Sequence, residues 1–355
     1  MSRKVKFQYH LLRNGAFCAY MRADKSRTPT IRMNDADGIK TSLSARFAPE
    51  AVDTDGNAVE IDWISDEIQV VMIINGQEHS LGVFLPAKVK EVTRGKAKRL
   101  DVQAFDRCWR VRDTKSGTLL YWPSGTAYLT AIKQLLAAAG VEVIFATPTE
   151  AAFTEDREDW KLGESYLTVV NALLSEINYK PLYFDSNGCA VLEPVSLPES
   201  GEIKHIFDGA DPETMVIPSL EREADYYEAP NVFIVYCANP DKSGNMTATA
   251  RNDNPQSPLS VSRRGREIVK VEQVDNIASQ AELQGYADWL RDKSMISGET
   301  VTVETGLRPG FGVAEAVGII YGELTAIGVE HAYRMELKVG GIMRHTVERV
   351  VYNLE

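Results

Sequence analysis

GTAYLTAIKQLLAAAG (residues 125–140) and GESYLTVVNALLSEIN (residues 163–178) are two versions of one pattern, 38 residues apart. Each reads Gly-x-x-Tyr-Leu-Thr, then a small or branched apolar pair, then Leu-Leu. Tyr128, Leu129, Ile132, Leu135 and Leu136 recur at steps of three and four, and Tyr166, Leu167, Val170, Leu173, Leu174 and Ile177 do the same. That spacing places them on one helical face. Neither face carries a charge, so both helices must dock on something. The residues just beyond the second helix supply a candidate. YKPLYF (179–184) and CAVLEPV (189–195) are apolar runs joined by Asp185-Ser-Asn-Gly188, the composition of a β-hairpin. The stretch therefore predicts a small α/β insert, over residues 114–200.

Upstream the period changes from about 3.6 to 2. In IKTSLSARF (39–47), Ile39, Thr41, Leu43, Ala45 and Phe47 alternate with Lys40, Ser42, Ser44 and Arg46, as in a half-buried antiparallel strand. EIQVVMIINGQEHSLGVFLP (67–86) reads as two strands around Asn75-Gly76, a strong hairpin signal. VKEVTRGKAKRLDVQAFD (89–106) repeats the design with a basic connection at 94–99, and residues 3–20 open as a looser hairpin. Pro49 to Asn57 reads as a turn-rich loop. Residues 1–113 are thus predicted as part of a first antiparallel β-barrel domain.

Downstream, LPESGE (197–202) reads as a linker, and 216–228 fits no period. VFIVYC (232–237) predicts a buried strand, 238–260 a long exposed polar loop with three prolines, and 262–275 a further strand. Residues 201–275 are expected to return to the first barrel. Gln280 to Ser294 predicts a helix with Leu283, Tyr286, Ala287 and Leu290 on one face. Alternation then resumes over 300–307, 313–324, 331–341 and 343–353, so 276–355 is expected to form the helix and a second β-barrel domain. The predicted class is α+β, mainly β: antiparallel barrel-like domains with a small α/β insert.

Bulk properties exclude several functions. A hydrophobic content of 44% and 355 residues allow a sizeable core and two or three domains. The net charge of −11 disfavours non-specific adhesion to DNA or an anionic membrane. Cys18, Cys108, Cys189 and Cys237 form no Cys-x-x-Cys pair, which fits small buried residues in a reducing compartment. No run of 18 apolar residues and no secretory signal pattern occurs, so assembly in the cytoplasm is expected.

No motif assigns a catalytic, cofactor-binding or metal-binding residue. Asp53-Thr-Asp55-Gly-Asn57 has its glycine too early for a calcium loop and reads as a turn. His10, His79, His205, His331 and His345 lack zinc spacing. Gly306, Gly310 and Gly312 bracket Arg308-Pro309 without the strand-to-helix switch a phosphate loop needs. The pairs Glu155-Asp156 and Glu158-Asp159 read as solvated charge. The basic clusters 94–99 and 263–266 read as hairpin tips, or as a groove for nucleic acid or an acidic partner.

Three stretches carry a family resemblance. IDWISDEIQVVMIINGQEHSLGVFLPAKVKEV (61–92) has the Gly82-Val83-Phe84 step before the aromatic-acid pair Phe105-Asp106. The second stretch, 163–195, opens a helix with Gly, carries Leu-Leu, and enters strand, Asp-x-x-Gly and strand. The third, 307–350, has a Pro-Gly/Phe entry and a Gly340-Gly341 turn into Met-Arg-His-Thr-Val. Together they resemble bacteriophage tail and baseplate hub proteins. The resemblance implies a structural virion component at the distal end of a contractile or long non-contractile tail, or of a related injection particle. It implies a homotrimer, whose paired β-domains would offer six faces to a sixfold tail tube. It further implies contact with the tail tube or distal tail protein, the spike or tip protein and the tape measure protein, transient contact with DNA in the lumen, and no enzyme activity, cofactor or metal. Two rival readings are a tail-associated peptidase or cell-wall hydrolase, which needs a catalytic constellation, and a carbohydrate-binding tip protein. The second would need exposed aromatics on one β face, for which Tyr226, Tyr227 and Trp122 are the candidates.

Overall fold

The computed structural model describes residues 3–95, 97–195, 203–227, 229–237, 246–274, 280–294 and 296–350. The chain divides into two compact units. The first takes residues 1–194, 305–313 and 332–344; the second takes 195–304, 314–331 and 345–355. The fold is α+β and mainly β.

The first unit is built on a closed barrel of six antiparallel strands. In ring order they are Thr41–Val52, Ala16–Ala23, Val5–Arg13, Glu67–Ile74, Gln77–Arg94 and Ala97–Phe105, and the last pairs back onto the first. Closure is carried by Ser42↔Phe105 through Phe47↔Leu100. Closing the ring removes the open edges that would otherwise seek a partner. Alternation decides what faces inward: Leu43, Ala45 and Phe47 are fully buried, with Leu11, Ala19, Ile68, Phe84 and Ala104 around them. Asn75-Gly76 and Asn14-Gly15 each have positive φ at both residues, the geometry of the two-residue turn that matches strand twist. Thr30–Asn34 extends the sheet beside Thr41, and residues 332–336 pair with it in turn.

The insert belongs to the same unit. After a short helix, Cys108–Asp113, the two predicted helices form at Tyr128–Ala138 and Tyr166–Glu176. They pack Leu129, Ile132, Leu135 and Leu136 with Leu167, Val170, Leu173 and Leu174 in one core. The sequence repeat is also a repeat of hydrogen bonds. Gly125 and Tyr128 donate their N–H groups to the carbonyls of Phe153 and Ala151, at 2.7 and 3.1 Å. Gly163 and Tyr166 donate to Ser116 and Thr114, at 3.0 and 2.9 Å. Phe153 N–H returns to Thr126 O, and Ser116 N–H to Glu164 O. Each half therefore contributes a short bridging segment, a helix and a strand, and the bridging segment of each is held by the helix start of the other. This reciprocity is what a two-fold relation between halves requires. The strands Ile144–Ala146 and Tyr183–Phe184 flank a central strand, Ala190–Leu192, parallel to the first and antiparallel to the second.

In the second unit one sheet runs in the order Val216–Ala224, residues 296–304, 345–350, 324–331, Ala316–Tyr321 and His205–Asp208, the last two parallel. A second sheet orders Met246–Arg251, Val232–Cys237 and Val269–Gln273, and the helix Gln280–Ser294 covers one face of it. Phe233, Val235, Ala248 and Ala250 meet Leu283, Ala287 and Leu290 there.

Three expectations need correction. Residues 201–275 do not return to the first barrel; all that are described lie in the second unit. The physical reason is that the barrel closes within residues 5–105 and leaves no place for a returning strand. Within 238–260, residues 246–251 are a strand, and Asn252, Ser257, Leu259 and Ser260 are buried. A long exposed loop is read from polarity alone, and here the polar side chains bond inward: Asn252 to Ser257, and Asn231 to Leu259 O and Arg266 O. Finally, 276–355 is shared, because 305–313 and 332–344 join the first unit. The predicted linker at 197–202, residues 238–245 of the loop and the end of the last strand beyond 350 lie outside the described residues.

Candidate functional site

The polar groups that the sequence singles out are held in scaffold roles. Asp53 closes its own turn, accepting from Asp55 N–H, Asn57 N–H and Asn57 Nδ2 at 2.8–3.0 Å. Asp156 accepts from Ser124 N–H and the Tyr121 hydroxyl, and Asp159 from Arg157. Arg157, whose side chain is 5% exposed, also grips Glu176 through both terminal nitrogens at 2.6 and 3.0 Å. The Tyr128 hydroxyl donates to the same carboxylate. Cys108 is fully buried, and its thiol is pushed up by burial and by neighbouring Asp106. That is the opposite of an activated thiolate. Asp106 accepts from Thr41 N–H at 2.7 Å and Cys108 N–H at 2.9 Å, and burial raises its carboxyl to about 6.

The insert is fastened to the barrel by one charged joint. Arg107 donates to both oxygens of Glu67 at 3.0 and 2.6 Å and to Gly188 O at 2.7 Å, while Arg110 reaches Glu67 at 3.3 Å. The Glu67 side chain is 4% exposed. Gly188 sits at φ 77°, and a Cβ there would press on Val83 and Arg107, so the hairpin turn can approach the barrel only as glycine.

The five histidines separate. His10 stacks edge-on with Phe17 and Tyr20, ring centres 5.2 and 5.3 Å away. His205 lies 3.8 Å from Glu315, and His331 lies 4.0 Å from Glu348. His345 forms a short hydrogen bond with Glu330; both side chains are 0% exposed, and the Phe207 ring packs on the imidazole. Burial and nearby Glu315 raise the Glu330 carboxyl well above its ordinary range. Among the described residues no group of three acidic, His or Cys side chains is placed to hold a metal.

Two surface features stand out. Exposed Phe17 and Tyr20, their rings 4.8 Å apart, form an aromatic cluster on the barrel wall with half-buried His10. The aromatic candidates read from sequence lie elsewhere: Trp122 is buried and bonded to Gln134, and the pair Tyr226 and Tyr227 is exposed. The hairpin signal at 3–20 is legible; the ring cluster depends on a register shift after Leu11 that brings Phe17 beside His10. The other feature is an arm. Strand Gln77–Arg94 outruns its pairing with Glu67–Ile74, which ends at Phe84. From Leu85 onward, among the described residues, it pairs only with Ala97–Phe105. Residues 87–99, where described, are exposed or half-buried throughout. The described backbone of the basic cluster 94–99 lies at the end of this arm, where Arg94 pairs with Ala97. Lys98 pairs with Glu91 at 3.3 Å, and Arg99 with Asp24. In the cluster 263–266, Arg264 donates to Ala229 O and Tyr226 O.

Comparison with known proteins bears on the fold. No family model and no curated protein matches the sequence. Solved structures do match over nearly the whole chain. A tail protein from Neisseria meningitidis MC58 superimposes with a TM-score of 0.66 at 15% identity, covering 96% of each chain. The 43 kDa tail protein of prophage MuSo2 from Shewanella oneidensis gives 0.66 at 12% identity, covering 96% of this chain and 98% of that one. A type VI secretion component from E. coli, described as structurally similar to the T4 bacteriophage tail proteins gp27 and gp5, gives 0.53 at 10% identity, covering 99% and 77%. At these identities the likeness is one of fold: this mainly β chain has its fold in common with the bacterial and prophage tail proteins named above.

Proposed function

We propose that this chain is a structural hub at the distal end of a phage tail, or of a related injection particle, joining the tail tube to the central spike or tip. The observation that carries the reading is the fold shared with two tail proteins along 96% of the chain. A likeness that spans both units supports a shared assembly role better than a shared chemistry, because function resides in sites rather than in folds. The architecture suits the role: a sealed barrel gives a rigid wall, and the Arg107–Glu67 joint fixes the insert on it. The hub acts as a homotrimer, ringing a channel through which the tape measure protein and DNA pass, with transient contact to DNA. It turns over no substrate.

Cryo-electron microscopy of particles containing this chain tests the reading. A ring of three copies between tube and spike is the expected density. Absence from purified particles, or density along the tube wall, would refute it. The cluster of His10, Phe17 and Tyr20 favours one second reading, a carbohydrate-binding tip protein, since aromatic faces on a rigid strand pair suit sugar stacking. Binding to host-surface glycans that is lost in Phe17→Ala would support it.

A further inference from the structure

We propose that the basic arm, residues 87–99, is a docking element that seats on the acidic surface of a second copy of this chain. The inference rests on the assembly role proposed above and names the surface that drives it.

Charge is the first argument. Residues 88–99 carry six basic side chains (Lys88, Lys90, Arg94, Lys96, Lys98 and Arg99) against one acid, Glu91. The whole chain is at −11, so the rest of it is more acidic still. A strongly basic element on an acidic protein is attracted to other copies of that protein while the bodies repel one another. Geometry is the second. Between Leu85 and Arg94 the strand is paired along one edge only among the described residues, and Lys88, Lys90 and Lys98 are exposed. Backbone donors and acceptors are therefore presented together with the charge. The third is the arm's own ion pairs. Lys98 meets Glu91 and Arg99 meets Asp24, so the counter-ion this surface already takes is a carboxylate.

Nucleic acid is the weaker occupant. No aromatic residue occurs between 87 and 99 to stack a base.

The test uses the full-length chain and a Lys88→Glu/Lys90→Glu variant, two exposed positions. Sedimentation velocity is run at about 50 and 500 mM salt, a range across which screening removes most long-range attraction. The wild type is expected to self-associate at low salt and to weaken at least about ten-fold at high salt. The variant is expected to associate at least about ten-fold more weakly at low salt and to lose most of the salt dependence. Carbodiimide cross-linking of a mixture of isotopically light and heavy chains should join Lys88 or Lys90 to an Asp or Glu of the other copy. A wild type that assembles with a variant that assembles equally well overturns the arm and leaves the hub reading standing. A wild type that stays monomeric at every concentration and salt removes both. Retention of a DNA duplex through Lys88 and Lys90, with no cross-link between copies, replaces the partner and overturns the inference.

Discussion

The buried Glu330–His345 pair makes a prediction that depends on proton count. Two ionisable groups with no exposure share one short hydrogen bond. Holding one proton between them keeps the pair at no net charge; adding or removing a proton places an uncompensated charge in the core, which is costly. In the unfolded chain the two groups titrate near their ordinary values, 4.5 for Glu and 6.5 for His. Between those values the unfolded chain also holds one proton, so the pair contributes no slope. Above 6.5 the unfolded chain holds none while the folded pair retains one, so stability falls as pH rises, by about 1.4 kcal/mol per pH unit. This is the sign expected from the raised Glu330 carboxyl. The loss grows above pH 6.5 for as long as the folded pair keeps its proton. Below 4.5 the unfolded chain takes up two protons, and stability falls again. The perturbation is Glu330→Gln, which keeps the shape and removes the shared proton. Urea titrations at pH 5.5, 7.0 and 8.5, read by hydrogen exchange in residues 324–331 and 345–350, report on this unit alone. Wild type should lose stability between 7.0 and 8.5, and the variant should lose much less. Equal slopes in the two proteins would refute the one-proton argument.

Other outcomes concern the first unit. Gly82→Ala should cost about 2–4 kcal/mol in a thermal or urea melt, because Gly82 has φ 143° and a Cβ there would lie 2.6 Å from the Phe84 ring. Arg107→Ala should cost up to about 3–5 kcal/mol, because the buried Glu67 is then left with only its longer contact to Arg110 at 3.3 Å. Limited proteolysis should then release fragments within 114–194, and Arg107→Lys should rescue little, since it cannot grip both oxygens and Gly188 together. Asp106 is raised from 3.8 to about 6. Its contribution is complete below 3.8 and drains as pH rises to about 6, on the order of 3 kcal/mol. Asp106→Asn should flatten that part of the profile, measured by exchange in residues 41–47 and 100–108.

Local signals read correctly where the physics is local. The 38-residue repeat locates both insert helices, with true ends two or three residues inside 125–140 and 163–178. The helix Gln280–Ser294 and the turn at Asn75-Gly76 are equally plain, since each depends on a few adjacent residues. Barrel closure is not legible: it pairs residues as far apart as Ser42 and Phe105, and it has no signature in either strand. Alternation alone, blind to that closure, assigns 201–275 to completing the barrel. The strand Met246–Arg251 is hidden because its sequence, MTATAR, buries two alanines against the helix and packs Met246 at their margin, a weak apolar signal. The Glu330–His345 pair lies beyond sequence reading because only cross-strand register brings 330 and 345 together. The arm shows its charge in the sequence but not its length, which is set by where the neighbouring strand stops.

The exchanged bridging segments of the insert constrain how this region can be altered. Removing residues 151–178 would strip Gly125 and Tyr128 of the carbonyls that receive their N–H groups, and removing 114–138 would do the same to Gly163 and Tyr166. Neither piece is a smaller working version of the whole, so truncation to a single copy is expected to abolish folding of both. A nick in the connection at 147–150, by contrast, would leave each fragment clasped by the other, and a cleaved insert should stay together in solution.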